Sequence, residues 1–432
     1  MNPTDGLTSF FYSEARRCNG VFYAPLLGND GMLVFVDPHV CIEVSRRAEE
    51  LIRGAGFAYD KKVLGLKHEL LFSNWGSSWQ EQRRRANPFF KPSAMRNLFD
   101  TIVECSRQVE DTDLLEHANS GKVRDLKLDT AAITLRVICT HIFGHQLPKS
   151  LENVLFELFL SLLPPEFQLR VSGFGWLPLP KRWRFFQCRK KALSGVASEI
   201  LRAEKGSFCE LRPEEDMDQK LSDVMGLVFA GFETTSNAVA WAMFFLSEQP
   251  ETVQAILSQL SSALGDRSID ELTAADLKAC PLLLAAFYES LRLRAPAPGH
   301  PVDTTNDVTL QDGKYFIPKG TTVYAMYSFS FLDEKFFENP NTFDLFRWID
   351  GRAEKAASKI GMSISELFTP FLVGQHVCLG RQLAELEGQI ILARWLHRFS
   401  FDFAGTSKPK FVLSVAMTMD SLPMRISESK KR

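Results

Sequence analysis

Phe371-Leu-Val-Gly374-Gln-His376-Val-Cys378-Leu-Gly380 is the stretch on which the reading of this chain turns. Beyond Cys378, Leu379, Leu383, Leu386 and Ile390 recur at spacings of four, three and four. That spacing lines up apolar side chains on one face of a helix. A cysteine just before a helix meets free amides and a partial positive charge, which favour thiolate over thiol. Gly374 and Gly380 lack a Cβ, which lets the backbone there turn sharply and lie close to a flat group. Amides near the sulfur would tune its electron donation, and Phe371 would shield it. A lone cysteine in this position is usually an inert buried thiol. Four residues at fixed spacing weigh against that.

Working outward, the chain of 432 residues is 45% hydrophobic, enough for one large core or two unequal lobes. Charged residues make up 24% and the formal net charge is −2, which fits an ordinary globular enzyme and gives no sign of nucleic-acid binding. Phenylalanine outnumbers tyrosine 35 to 7, which suits the lining of an apolar cavity, although any single Phe is more often core filling. The eight cysteines are scattered without a CxxC pair, so neither a disulfide framework nor a zinc site is expected, and the compartment should be reducing. No run of about 18 apolar residues exists to span a bilayer. The start, MNPTDGL, is not a signal peptide. It is expected to be either a native soluble start or a chain without its membrane anchor.

Residues 20–45 read as two strands and a helix, with a Gly-Asn-Asp-Gly turn at 28–31. Helical periodicity dominates from about 46 to 300 and again over 379–400. It is interrupted by the Gly/Pro/aromatic loop 172–181 and by the polar stretch 205–218. Strands return over 300–330 and 408–428, with turns at Asp312-Gly313 and near Asp420. The expected fold is mainly α with small β-sheets, and 1–432 is read as a single domain.

Other segments carry weaker signals. Glu289 and Arg292 lie three apart on one helix face; alone, such a pair is usually a solvated surface pair. Ala230-Gly231-Phe232-Glu233-Thr234-Thr235 puts a glycine, an acid and two hydroxyls in the middle of the apolar helix 221–247. Ser/Thr hydroxyls there can bond back to the i−4 carbonyl. Trp79-Gln-Glu-Gln-Arg83 is followed by Arg84 and Arg85, a run that also reads as a solvated helix face.

The cysteine segment resembles the haem-binding loop of the cytochrome P-450 family, Phe-x-x-Gly-x-Arg/His-x-Cys-x-Gly. The resemblance covers nearly the whole chain in family order, to the Ser-Leu-Pro-Met-Arg-Ile ending. It implies the cytochrome P-450 fold, with haem b between the oxygen-activation helix and the cysteine-ligand helix and Cys378 as the metal ligand. It further implies that Ala230 and Gly231 make room over the iron, that Thr234 supports bound oxygen, and that Glu233 feeds a proton relay. Glu289, Arg292 and Arg347 are implied to form a buried structural cluster, Arg347 coming from the loop Pro340–Trp348. Arg83 is implied to hold a haem propionate. The chain departs from the family in having no arginine between Arg294 and Arg347. Arg83, Trp79, His376 and His300 are therefore the expected propionate partners.

The resemblance implies a monooxygenase that places one atom of O2 in an apolar terpenoid, sterol or fatty-acid-like substrate. Electrons would come from an NADPH-dependent flavin reductase or a ferredoxin docking near Arg83–Arg85, Lys91 and Arg381. The protein is expected to be a monomer that touches a membrane peripherally near 172–181. Its expected place is the cytosolic side of the endoplasmic reticulum if an anchor was removed, and otherwise the cytoplasm. The rival functions are a haem-thiolate isomerase or dehydratase of oxygenated lipids and a non-catalytic haem sensor.

Overall fold

The computed structural model describes residues 7–25, 31–53, 64–66, 70, 76–171, 174, 177, 179–210, 216–412 and 414–429. Its axis is the helix Met217–Ser247, 31 residues long, whose N-cap Asp216 accepts the Gln219 N–H at 2.7 Å. It packs against helices Leu126–Phe143, Pro281–Leu293 and Arg381–Arg398. The first of these begins at an Asp125 cap and ends at Gly144, whose φ of 84° suits a residue without a Cβ. One continuous apolar core takes in side chains from Phe11 to Ile426.

The strands lie to the side of this bundle. A five-stranded sheet runs β1 (Val21–Ala24), β2 (Met32–Phe35), β8 (Thr322–Ala325), β5 (His300–Thr304), β3 (Leu51–Arg53). Its β2–β8 pair is parallel and the others are antiparallel. β6 (Val308–Leu310) and β7 (Tyr315–Ile317) form a hairpin, and β10 (Phe411–Val412) pairs with β11 (Thr418–Met419). A three-stranded sheet joins β4 (Arg124–Asp125), β12 (Pro423–Glu428) and β9 (Phe399–Phe403).

The fold is thus mainly α with small sheets, as the sequence implies. Three strands fall outside the expected β regions: β3 and β4 within the helical stretch, and β9 directly after the last helix. Each is five residues or fewer and gains order from distant partners, β5 or β12, so local periodicity does not announce it. The expected turn at 28–31 falls almost wholly outside the described residues, as do much of the loop 172–181 and residues 211–215.

Candidate functional site

Cys378 sits three residues before the helix Arg381–Arg398, and its N–H donates to the Phe371 carbonyl at 2.8 Å. The loop packs on the end of the helix Pro38–Arg46. Gly374, at φ 75°, lies so close that a Cβ would sit 2.6 Å from the Ser45 carbonyl oxygen. Gly380 has an ordinary φ of −88° and no described atom near its Cβ position. Of the two glycines, contacts among the described residues require Gly374 and not Gly380.

Of the eight cysteines, Cys378 alone is exposed. Although solvent reaches it, the surrounding protein mass pushes its thiol pKa up. The N–H groups of Gly380 and Arg381 and the charges of Arg83 and Arg381 pull it down. The helix-start effect therefore acts in the expected direction and burial outweighs it. Coordination to a metal cation deprotonates a thiol outright, which removes that obstacle.

On the long helix Met217–Ser247, most side chains around the motif are buried. Leu227, Ala230, Gly231 and Thr234 keep partial exposure, and their spacing of three, one and three makes a single stripe. The Thr234 hydroxyl donates to the Ala230 carbonyl at 2.7 Å. The space that Gly231 leaves is occupied from the side: a Cβ would meet Ile138 Cγ1 at 2.8 Å, so its evident effect is close packing on the helix Leu126–Phe143. Glu233 is fully buried, and neither carboxylate oxygen has a hydrogen-bond partner among the described residues. Burial raises its pKa to about 8, with Lys127 pulling the other way.

Trp79 and Arg83 lie four apart on the helix Ser77–Ala86. The Trp79 ring meets the His376 ring edge-on at 4.6 Å, and the Arg83 guanidinium lies 5.9 Å from the indole centroid. Arg83 Nη2 donates to the Val377 carbonyl at 2.7 Å and Nε to Asn87 Oδ1 at 3.0 Å. The Trp79 indole N–H donates to the Leu70 carbonyl at 3.0 Å. These three residues converge on the cysteine loop. His300 stands on β5, 6.5 Å from the Tyr327 ring.

Glu289, Arg292 and Arg347 come together, all buried. Arg292 forks onto Glu289 at 2.7 and 2.9 Å and also donates to the Phe331, Pro340 and Thr342 carbonyls. Arg347 Nε, Trp348 Nε1 and the Asp344 N–H complete the shell around the carboxylate at 2.9–3.1 Å. Sequence reasoning missed Trp348 as a member of this cluster. It also missed Asn237, whose Oδ1 accepts from Thr418 Oγ1 at 2.9 Å and Met419 N at 2.8 Å while its Nδ2 donates to the Glu233 carbonyl at 2.7 Å. A second cluster, buried Glu110 and Arg394 with partly exposed Arg398, was equally invisible. Its partners lie more than 280 positions apart, and no local spacing marks them.

The cytochrome P-450 family model matches residues 4–426, and the chain belongs to that family. It is 24% identical over 332 residues to lanosterol 14-alpha demethylase of Candida tropicalis, covering 69% of this chain and 62% of that one. It is 30% identical to the mitochondrial 25-hydroxyvitamin D-1 alpha hydroxylase of Rattus norvegicus, covering 57% of this chain and 50% of that one. These matches span less than two thirds of either relative. Abscisic acid 8'-hydroxylase 1 of Arabidopsis thaliana is 24% identical, with 96% of this chain and 85% of that one covered. The crystal structure of a cytochrome P-450 (CYP102L1) superposes with a TM-score of 0.83 at 19% identity, over 99% of each chain, which shows the fold. Family membership implies haem b with a cysteine thiolate ligand. The residues present fit that group: a single reachable sulfur with two amides directed at it, and a partly exposed stripe on an otherwise buried helix.

Proposed function

We propose that this chain is a single-domain haem-thiolate monooxygenase with Cys378 as the axial ligand. The observation that carries the reading is the cysteine loop: an exposed sulfur on a backbone pinned by Phe371, Gly374 and Arg83. Bound haem supplies O2 activation, with the thiolate's electron density favouring O–O cleavage. One oxygen atom enters an apolar C–H or C=C bond and the other leaves as water. The Thr234 hydroxyl, on the exposed stripe, orients protons toward the reacting oxygen. Glu233, kept neutral by burial near pH 7, holds a proton one residue away. Arg83, with Trp79 and His376 beside it, holds a propionate.

Lanosterol, 25-hydroxyvitamin D and abscisic acid support a sterol or terpenoid substrate over a fatty acid. We place the protein, as a microsomal type, on the cytosolic side of the endoplasmic reticulum; one of its relatives is mitochondrial by name. Among the described residues no helix is long and apolar enough to cross a membrane. Exposed Phe174, Leu179 and Trp183 suit a peripheral contact there. An NADPH-dependent flavin reductase or a ferredoxin docks on the side bearing Lys91, Arg84 and Arg381. Arg84 and Arg85 share Glu81, which moderates that charge.

The test is the ferrous–CO spectrum of the haem-loaded protein. A red-shifted Soret band in the wild type that is absent from Cys378→Ala supports thiolate ligation; a band retained in the variant defeats it. Binding difference spectra against a sterol and terpenoid panel then find the substrate. Reductase-driven consumption of NADPH and O2 with that compound separates a monooxygenase from an isomerase or a sensor.

A further inference from the structure

Arg381, the first residue of the helix after Cys378, belongs to a closed ring of three side chains. Its Nε donates to Glu385 Oε1 at 2.7 Å and its Nη2 to the Tyr288 hydroxyl at 3.1 Å. The Tyr288 hydroxyl donates to the same Glu385 oxygen at 2.6 Å. The Tyr288 ring packs edge-on against the paired Trp348 and Phe368 rings, 5.7 Å from each, and Trp348 is bonded to Glu289. The ring is therefore tethered to the buried Glu289 cluster. On its other side the guanidinium lies 5.6 Å from the centroid of Phe371, the residue whose carbonyl accepts the Cys378 N–H. Surface ion pairs four apart on a helix are usually loose. Here the tyrosine supplies a third, half-buried anchor that fixes where the cation sits.

We propose that Arg381 is a positioning residue that sets the reduction potential of the haem iron that Cys378 would hold, and that Glu385 and Tyr288 meter how much of its charge reaches the sulfur. The proposal rests on the haem-thiolate reading. A fixed cation beside a thiolate favours the state that has gained an electron, and a carboxylate bonded to that cation offsets part of the effect. Arg381 and Glu385 therefore act with opposite signs. The guanidinium is half exposed, so salt screens the effect in part.

The experiment is a spectroelectrochemical titration of the haem-loaded, substrate-free protein at low ionic strength. Arg381→Gln lowers the midpoint potential, by about tenfold in the reduction equilibrium, or about 59 mV for one electron. Glu385→Gln raises it. Arg381→Lys keeps the charge without the fork and stays near the wild type. A merely structural ring would move Arg381→Gln and Glu385→Gln the same way, and that result overturns the proposal, as does an Arg381→Lys potential that falls with Arg381→Gln. The ferrous–CO band is recorded on each sample. Its absence from the wild type defeats the thiolate reading itself, whereas a normal band with unmoved potentials defeats only the role of the ring.

Discussion

Arg347 reaches Glu289 across 58 positions of sequence, Nε to Oε1 at 3.1 Å, and both side chains are buried. Glu289 also takes two bonds from Arg292 and one from Trp348, so its loss strands two guanidinium groups. Removing one partner of a buried charged cluster costs about 3–5 kcal/mol. Glu289→Gln and Arg347→Ala are both expected to lower the unfolding midpoint and to yield protein nearly devoid of haem. The haem-to-protein absorbance ratio and a urea titration check this.

Gly374→Ala tests the loop directly. The new methyl would meet the Ser45 carbonyl, which is backbone and cannot swing aside, and φ of 75° adds strain of about 1–2 kcal/mol. The loop must move, and Cys378 with it. The expected outcome is protein that folds but shows a weakened or blue-shifted ferrous–CO band.

Glu233 makes stability depend on pH with a definite sign. Unfolded, it titrates near 4.5; folded, burial holds it at about 8. Between those values the folded state binds more protons, so stability falls as pH rises. Below the lower value Glu233 adds no penalty, and above the upper one the penalty is constant. Glu233→Gln removes this fall. Subtracting its denaturant midpoints from those of the wild type, from about pH 5 to about pH 9, should give a difference that becomes steadily more negative as pH rises.

Thr234→Ala should retain haem and substrate binding, because the lost bond to Ala230 is local to one turn. Product formation should fall by about a hundredfold, the low end for lost proton-transfer catalysis. NADPH consumption should continue and appear as hydrogen peroxide in solution, which a peroxide assay against product yield reads out.

Arg83→Ala removes the charged bond to the Val377 carbonyl, worth about 1.5–3 kcal/mol. Haem transfer to apomyoglobin should accelerate about tenfold or more, whereas Arg84→Ala, at an exposed pair, should leave it unchanged.

The legible parts of this molecule were those where chemistry demands fixed spacing. The cysteine loop is such a case; spacing alone reads Glu289 and Arg292 as a surface pair, and the buried cluster with Arg347 follows only from the family resemblance. What stayed hidden depends on direction and distance. Spacing places Gly231 on the long helix, but only packing shows its open side turned to Ile138. The resemblance assigns Arg83 to a propionate, but nothing in the sequence shows its hydrogen bond to the Val377 carbonyl. Tyr288 reads as one more aromatic in an apolar helix, and nothing local reveals a bond to Glu385, 97 positions on.

The clamp at Asn237 bears on when the protein becomes complete. This side chain in the long helix is satisfied by Thr418 and Met419, 181 and 182 positions later. During synthesis the helix therefore leaves the ribosome with the Asn237 amide oxygen unmatched until residues 418 and 419 follow. Cys378 is also made before that closing strand. Cofactor capture into a finished pocket therefore waits for residues 418 and 419, and a nascent chain stalled short of Thr418 should hold haem poorly.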